Sequence, residues 1–307
     1  MPPWTSRDVR CTCRTGSGSA MNGIMEPRSG LGPSLVEQPS WLWQRVGAES
    51  ETAVARMEAL LAGLSLHTVC QEALCPNLAG CFRRGTATFL ILGNTCTRGC
   101  RFCGVRQGRP ALPDPAEPER LADAVLRLGL EHVVVTSVTR DDLHDGGDAQ
   151  FAATIQAIRR RLPGTVVEVL VPDFGGSCSA LETVIGAEPD VLNHNLETVP
   201  RLYSRVRPKA SYQRSLGILA WAKTQVPGML IKSGLMLGLG ERMAEVLSAL
   251  YDLRRSYCDL LTLGQYLRPA EENTSVERYY SPQEFAWYRQ KAETMGFRGV
   301  AAGPLVR

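Results

Sequence analysis

Six cysteines in two short groups carry the strongest chemical information in the chain. Cys70, Cys75 and Cys81 form a C-x4-C-x5-C run, and Cys96, Cys100 and Cys103 form C-x3-C-x2-C. Each group offers three thiolates. A closed structural zinc site takes four ligands, built from paired short spacings, and a fully protein-ligated iron–sulfur cluster also takes four. A triple therefore leaves one metal vertex to another ligand, and two neighbouring triples suggest an enzyme with two open clusters. Structural zinc, completed by a histidine or a distant cysteine, is the competing reading for either triple taken alone.

Alternating apolar runs and helical stretches must position these groups. The runs at 88–92, 132–136, 166–171, 191–194, 231–237 and 260–263 read as strands. The stretches 118–128, 151–161 and 241–254 show helical spacing. Gly129 and Pro163-Gly164 follow helical segments as stops. Strands with helices between them make repeated βαβ units and a parallel sheet or barrel. Six strands are too few for a full eight-stranded barrel, so the expectation is an α/β fold, a partial (β/α)6 barrel over 86–307. An amphipathic helix at 51–64 would deliver the first cysteine triple within an N-terminal extension, 36–85. The Cys96 triple follows the first strand, where barrels keep their catalytic groups. Gly99 and Gly104 are expected to let this loop wrap a cluster closely, and Phe102 to shield it.

Composition narrows the class further. The chain is 44% hydrophobic and 21% charged, the balance of a globular protein with a sizeable core. A net charge of +3 makes no demand for nucleic acid. No apolar run approaches the roughly 18 residues of a membrane span. Without a basic-then-apolar leader the expectation is a cytoplasmic protein, where clustered cysteines are metal ligands sooner than disulfides. Residues 1–35 are rich in Gly, Ser, Arg and Pro and read as a disordered tail. Its Cys11 and Cys13 are then unstructured thiols, and Met21 and Met25 offer later starts.

The C-x3-C-x2-C run with an aromatic before its last cysteine resembles the radical S-adenosylmethionine (SAM) superfamily. From about Pro39 to Arg307 the chain resembles, more narrowly, the lipoyl synthase family. Val69-Cys-Gln-Glu-Ala-Leu-Cys-Pro-Asn-Leu-Ala-Gly-Cys matches that family's auxiliary-cluster motif, and Gly85-Thr-Ala-Thr-Phe-Leu-Ile-Leu-Gly leads into the second triple. Further matching blocks begin at Thr136 (TSVTRDDLHDGG), Asn193 (NHNLETV), Lys232 (KSGLMLGLGE), Gly264 (GQYL) and Gly303 (GPLVR).

The resemblance implies a barrel of the radical SAM kind and two 4Fe-4S clusters. Cys96, Cys100 and Cys103 would hold the cluster that binds and reductively cleaves SAM, giving methionine and a 5′-deoxyadenosyl radical. Cys70, Cys75 and Cys81 would hold the auxiliary cluster, consumed as the sulfur source. Hydrogen abstraction and sulfur insertion at C6 and C8 of a protein-bound octanoyl-lysine would give the lipoyl group. Phe102, Gly146, Gly147, Asn195, Glu197 and Lys232 are the implied SAM contacts. Implied partners are an octanoylated carrier domain (a 2-oxoacid dehydrogenase E2 or the glycine cleavage H protein), a ferredoxin or flavodoxin donor, and an iron–sulfur carrier. The family continues past the last arginine with Ser-Ser-Tyr, whose second serine ligates the auxiliary cluster. This sequence ends at Arg307, so either it is truncated or water, another side chain or substrate takes that place. The alternatives are another sulfur-inserting radical SAM enzyme, or a non-catalytic iron–sulfur carrier with no reason to bind SAM.

Other chemically able residues have plainer readings. Cys178 and Cys258 are expected as buried small hydrophobes, and His67, His132 and His144 as structural. His194 divides evenly between core packing and catalysis. Arg205 and Arg207 are either a solvated face or a clamp for an acidic partner. Asp141 and Asp142 read as turn caps before they read as metal ligands.

Overall fold

The computed structural model describes residues 38–42 and 47–307. The expected tail, with Cys11 and Cys13, lies outside them. The strands are β1 (His67–Thr68), β2 (Thr88–Ile91), β3 (Thr95–Cys96), β4 (Arg106–Gln107), β5 (His132–Ser137), β6 (Val166–Leu170), β7 (Val191–Asn193), β8 (Leu230–Leu237), β9 (Leu260–Gln265) and β10 (Gly299–Gly303). One eight-stranded sheet runs β1-β2-β5-β6-β7-β8-β9-β10, and β3 pairs β4 separately. From β2 to β10 every neighbour is parallel; only β1 runs antiparallel, against β2. The sheet is a partial barrel whose two edges are β1 and β10.

All six expected strands are present, and β10 extends the set. Its sequence, GVAAG, has none of the β-branched density that marks a strand. It forms because Gly299 to Gly303 lie in register along Leu260 to Gly264 of β9. Period-two alternation then divides each strand between two environments. Phe89, Ile91, Val133, Val135, Val167 and Val169 are fully buried, while Thr88, Leu90, Val134, Thr136, Glu168 and Leu170 line a cavity inside the curved sheet.

The helices between strands supply the covering layer. Glu117–Leu128 buries Leu121, Ala122, Ala124 and Val125, and ends at Gly129 with φ 60, a conformation glycine adopts without a Cβ penalty. Pro282–Thr294 starts with a reciprocal Ser281/Glu284 capping box. The N-terminal helix Ala48–Gly63 packs on the short helix Leu78–Arg83. Met57, Leu61 and Phe82 join the same core as the barrel. The extension is thus stitched to the sheet by β1 and by shared packing.

Past β10 the chain turns back over the barrel mouth. Asn77 Nδ2 donates to the Leu305 carbonyl at 2.6 Å, and a Cβ on Gly264 would sit 2.1 Å from the Val306 carbonyl oxygen. Glycine is required at 264 because this returning segment lies directly on it. Gly264→Ala should lift residues 304–307 without unfolding the barrel. Hydrogen–deuterium exchange should quicken in that segment alone, with Tm lower by only a few degrees.

Candidate active site

Leu92 (φ 67) and Gly93 (φ 87) turn the chain out of β2 and into the loop that carries Cys96, Cys100 and Cys103. Several ties hold that loop. Pairing of β3 with β4 closes its base. Thr97 N–H donates to the Thr139 carbonyl at 3.1 Å, and Arg101 N–H to the Val206 carbonyl at 2.9 Å. Asn273 Nδ2 donates to the Cys103 carbonyl at 3.0 Å. The other triple is spread over the helix Val69–Glu72, the turn at Cys75 and the helix Leu78–Arg83.

The two cysteine loops touch. A Cβ on Gly104 would lie 3.2 Å from the Ala73 carbonyl oxygen and 3.0 Å from Pro269 Cβ. Gly104 gives room for this approach without a positive φ. A Cβ on Gly99 would meet only the movable end of Gln107, at 3.0 Å. All six thiols, with Phe102, line a single cavity of about 2080 Å³.

All six cysteines are free thiols. Burial, above all, pushes Cys70 up to about 11, Cys103 up to about 12 and Cys100 upward, and neighbouring thiols add to each shift. Such groups become thiolates only with a metal to compensate them, releasing protons as it binds. Among the described residues no three ligating side chains are gathered as a single-ion site. The thiols fit the clusters that the triples imply.

Buried charges border the cavity. Glu197 adopts φ 66, outside the usual region for a non-glycine residue, at the isolated bridge Glu197↔Leu235. Strain of this kind collects at functional sites. Burial raises its pKa, against the pull of Arg207 and a hydrogen bond from Asn195. Arg207 Nη1 donates to the Asn195 and Leu196 carbonyls at 2.9 and 3.1 Å, and the guanidinium lies 5.5 Å from the Tyr203 ring centroid. Its Nε and the Asn195 Oδ1 have no protein partner. Gly234 makes room here, since a Cβ would sit 3.1 Å from Asn195 Oδ1 and 2.4 Å from Thr262 Oγ1.

Two further ion networks support the walls. Arg98, inside the cluster loop and 7% exposed, binds Asp141 at 2.8 Å and the fully buried Asp173 at 2.6 Å. Asp173 also meets Arg214 at 3.1 Å. Burial alone would raise Asp173, but Arg98 outweighs it and holds the carboxyl at about 2. Inside the barrel Lys232 binds Glu168 at 2.7 Å, with His132 at 3.4 Å. Their charges overcome burial and hold Glu168 at about 2.

The expected contacts divide on this geometry. Phe102, Asn195, Glu197 and Lys232 line the cavity, but the ammonium of Lys232 already serves Glu168. Gly146 and Gly147 do not line it. Their N–H groups donate within the turn, to the Leu143 carbonyl and to Asp145 Oδ1, and a Cβ on Gly147 would strike Leu92 at 2.3 Å. His194 is core: Nδ1–H donates to the Val171 carbonyl, Nε2 faces Ser215 Oγ at 2.9 Å, and burial lowers it to about 4. Asp141 and Asp142 pair with Arg98 and Arg140. Cys258 is buried as expected, but Cys178 is exposed at a helix start. Arg205 bonds the Leu239 carbonyl and Glu277, whereas Arg207 points inward, so neither reading of the arginine pair survives whole. Arg98 and Asp173 are wall residues that sequence reasoning missed, and Arg207 was read only as half of a solvated face or partner clamp. The C-x-R-x-C spacing of Cys96, Arg98 and Cys100 hints at Arg98, but nothing local marks Asp173.

The fold and site together define a radical SAM protein. A model of the radical SAM superfamily matches residues 90–252. Among solved structures, methylornithine synthase superposes with a TM-score of 0.52 at 15% identity, covering 83% of this chain and 85% of that one. Streptococcus suis SuiB, bound to its precursor peptide, gives 0.54 at 13%, covering 74% and 52%. Sequence relatives are closer: 55% identity over 272 residues to a lipoyl synthase of Caldanaerobacter subterraneus, covering 89% of this chain and 94% of that protein. A Rubrobacter xylanophilus lipoyl synthase is 55% identical over 270 residues, 88% and 84% of the two chains. The chain belongs to the lipoyl synthase family.

Asp173 and Glu168 make the acid limb of stability testable. A carboxylate with a depressed folded pKa stabilises in full above its unfolded value and stops doing so as pH falls through the folded one. For Glu168 the window runs from 4.5 down to about 2. Urea unfolding of the cluster-free chain should lose on the order of 2–3 kcal/mol per group across it. Glu168→Gln should remove its share of that slope.

Proposed function

We propose that Cys96, Cys100 and Cys103 hold the cluster that binds SAM, and that Cys70, Cys75 and Cys81 hold the auxiliary cluster. The observation that carries this assignment is the single cavity lined by all six thiols, with the two loops in contact at Gly104 and Ala73. The activity is that of the lipoyl synthases, sulfur insertion at C6 and C8 of a protein-bound octanoyl-lysine. When bound, one cluster with SAM supplies the hydrogen-abstracting radical and the other supplies sulfur.

The chain's own residues bind, orient and exclude water. Arg207 offers a buried positive charge with an unpartnered Nε, suited to the carboxylate of SAM. Glu197 and Asn195 present acceptors to ribose hydroxyls, and Phe102 shields the loop. Gly146 and Gly147 act at one remove, shaping the turn that follows Thr139 and Asp141, both of which hold the cluster loop. Leu90, Val134 and Leu170 give the octanoyl chain an apolar wall, ending at the Lys232–Glu168 pair. Residues 36–85 form an auxiliary-cluster extension of the 86–307 barrel.

The substrate is an octanoylated carrier protein. We assign as its source a 2-oxoacid dehydrogenase E2 or the glycine cleavage H protein. A ferredoxin or flavodoxin serves as donor, and an iron–sulfur carrier rebuilds the consumed cluster. Among the described residues no helix is long and apolar enough to cross a membrane, and the free thiols suit a reducing, cytoplasmic setting.

Anaerobic reconstitution with iron and sulfide, followed by dithionite, SAM and an octanoyl-lysine peptide, tests the reading. Two clusters per chain and a mass gain of two sulfurs replacing two hydrogens are expected. Cys75→Ala should keep SAM cleavage and lose sulfur transfer, whereas Cys100→Ala should lose both. Failure of the reconstituted wild type to cleave SAM would instead fit an iron–sulfur carrier.

A further inference from the structure

The cavity has a bottom whose chemistry differs from that of its walls. Going down the strands, the last lining residues are Thr88 on β2, Val134 on β5, Glu168 on β6, Asn193 on β7, Lys232 on β8 and Thr262 on β9. Only Val134 among them is apolar. Two positions further along each strand, period two turns Leu90, Leu170 and Gly234 into the same space. Thr136 at that level gives its hydroxyl to the Leu170 carbonyl at 2.7 Å. Free polarity is therefore concentrated in the deepest layer.

Glu168 gathers that layer. One of its oxygens accepts from Lys232 Nζ at 2.7 Å and from Asn193 Nδ2 at 3.2 Å, and the other faces His132 Nε2 at 3.4 Å. The Glu168 side chain is 3% exposed, whereas His132, at the first position of β5, is 39% exposed. The network thus closes the lumen against the solvent that His132 meets.

Hydrocarbon pressed onto this layer is opposed twice. It offers nothing to Asn193 Oδ1, which has no protein partner. A chain pushing further would part Lys232 from Glu168 and leave a buried charge uncompensated. A chain that stops short leaves Leu90 and Leu170 uncovered. From Lys232 to Met236, both lining residues, β8 rises about 13 Å. The tilt of barrel strands turns that into a depth of about 10 Å, close to the reach of one extended eight-carbon chain.

We propose that Glu168, Lys232 and Asn193 form a floor that selects acyl chain length, admitting eight carbons and penalising ten. The proposal rests on the activity assigned above. It gives these residues a role in specificity and no part in the chemistry.

The test titrates hexanoyl-, octanoyl- and decanoyl-lysine peptides calorimetrically into the reconstituted enzyme with SAM, reductant withheld. In the wild type, affinity should rise about tenfold from six carbons to eight, as buried methylenes accumulate, and fall about tenfold from eight to ten. Glu168→Ala/Lys232→Ala removes both charges together. In that variant decanoyl-lysine should bind at least as tightly as octanoyl-lysine, a shift in preference of tenfold or more. Wild-type affinity that keeps rising from eight carbons to ten would overturn the floor, and so would an unchanged preference in the folded double variant. If the double variant does not fold, the wild-type series decides alone. Octanoyl conversion under dithionite is followed separately, so either result leaves lipoyl synthesis intact. A wild type that neither binds nor converts the octanoyl peptide would end the assigned activity, and the floor with it.

Discussion

Contact between the Gly104 backbone and the Ala73 carbonyl is the constraint on which the site depends. Each cysteine triple is local, set by its own loop, but their common cavity is a long-range fact. A side chain at 104 would crowd the Ala73 carbonyl and Pro269, so that one of them must give by a few tenths of an ångström. Close-packed interiors absorb such displacements poorly, so the separation of the two triples is fixed by what residue 104 lacks. Pro269 fills the remaining side of this junction, and Asn273 from the same segment ties the Cys103 carbonyl. Three stretches distant in sequence thereby meet at a single residue.

Around that junction the charges are arranged to keep the loop rigid without consuming the groups that face the cavity. Arg98 is committed to Asp141 and Asp173, Lys232 to Glu168, and His194 to a carbonyl and a hydroxyl. Breaking a buried pair on one side leaves an uncompensated charge, which costs about 3–5 kcal/mol. Arg207 is the exception. Its Nη1 is satisfied by carbonyls, but no carboxylate salt-bridges it, and its Nε stays unpartnered. A buried cation attracted by the nearby Glu197 but without a close ion pair is tolerated where an anionic ligand completes it. The neighbouring Asn195 Oδ1, also unpartnered, is a second incomplete group in the same wall.

What could be read from the sequence followed the range of the physics involved. Cysteine spacing is a local code, and the Cys96 triple fell after β2, where the barrel rule puts catalytic groups, with the Cys70 triple lining the same cavity from the extension. Strands with Val, Ile and Leu runs announced themselves; β10 did not, because its GVAAG is held by register with β9 and not by propensity. Glu197 and Asn195 were legible as a strand-end pair. Gly146 and Gly147 were misleading because glycine pairs serve close packing as often as ligand approach, and here Leu92 occupies the space. Arg207 was legible only as one of a pair, solvated or clamping a partner, and not as a group turned into the cavity. An Arg-Val-Arg run cannot say which arginine turns inward until the loop around Tyr203 is folded.

The cavity's two ends impose different requirements on the same interior. At the mouth, six free thiols and two polar groups without protein partners line the cavity. Below, Leu90, Val134 and Leu170 present an apolar wall that excludes water from whatever chain enters, until Glu168 and Lys232 close it with a salt bridge. A substrate with a polar arm at its entry and a saturated tail beyond satisfies both ends, and a wholly polar or wholly apolar one satisfies only one. Because the parallel sheet orients every strand the same way, the polar mouth lies where the βα loops gather and the apolar wall lies among strand interiors. The gradient from metal-binding loop to hydrocarbon wall is therefore a consequence of the barrel's directionality, and the two cysteine triples exploit it by meeting at the one edge where both environments are within reach.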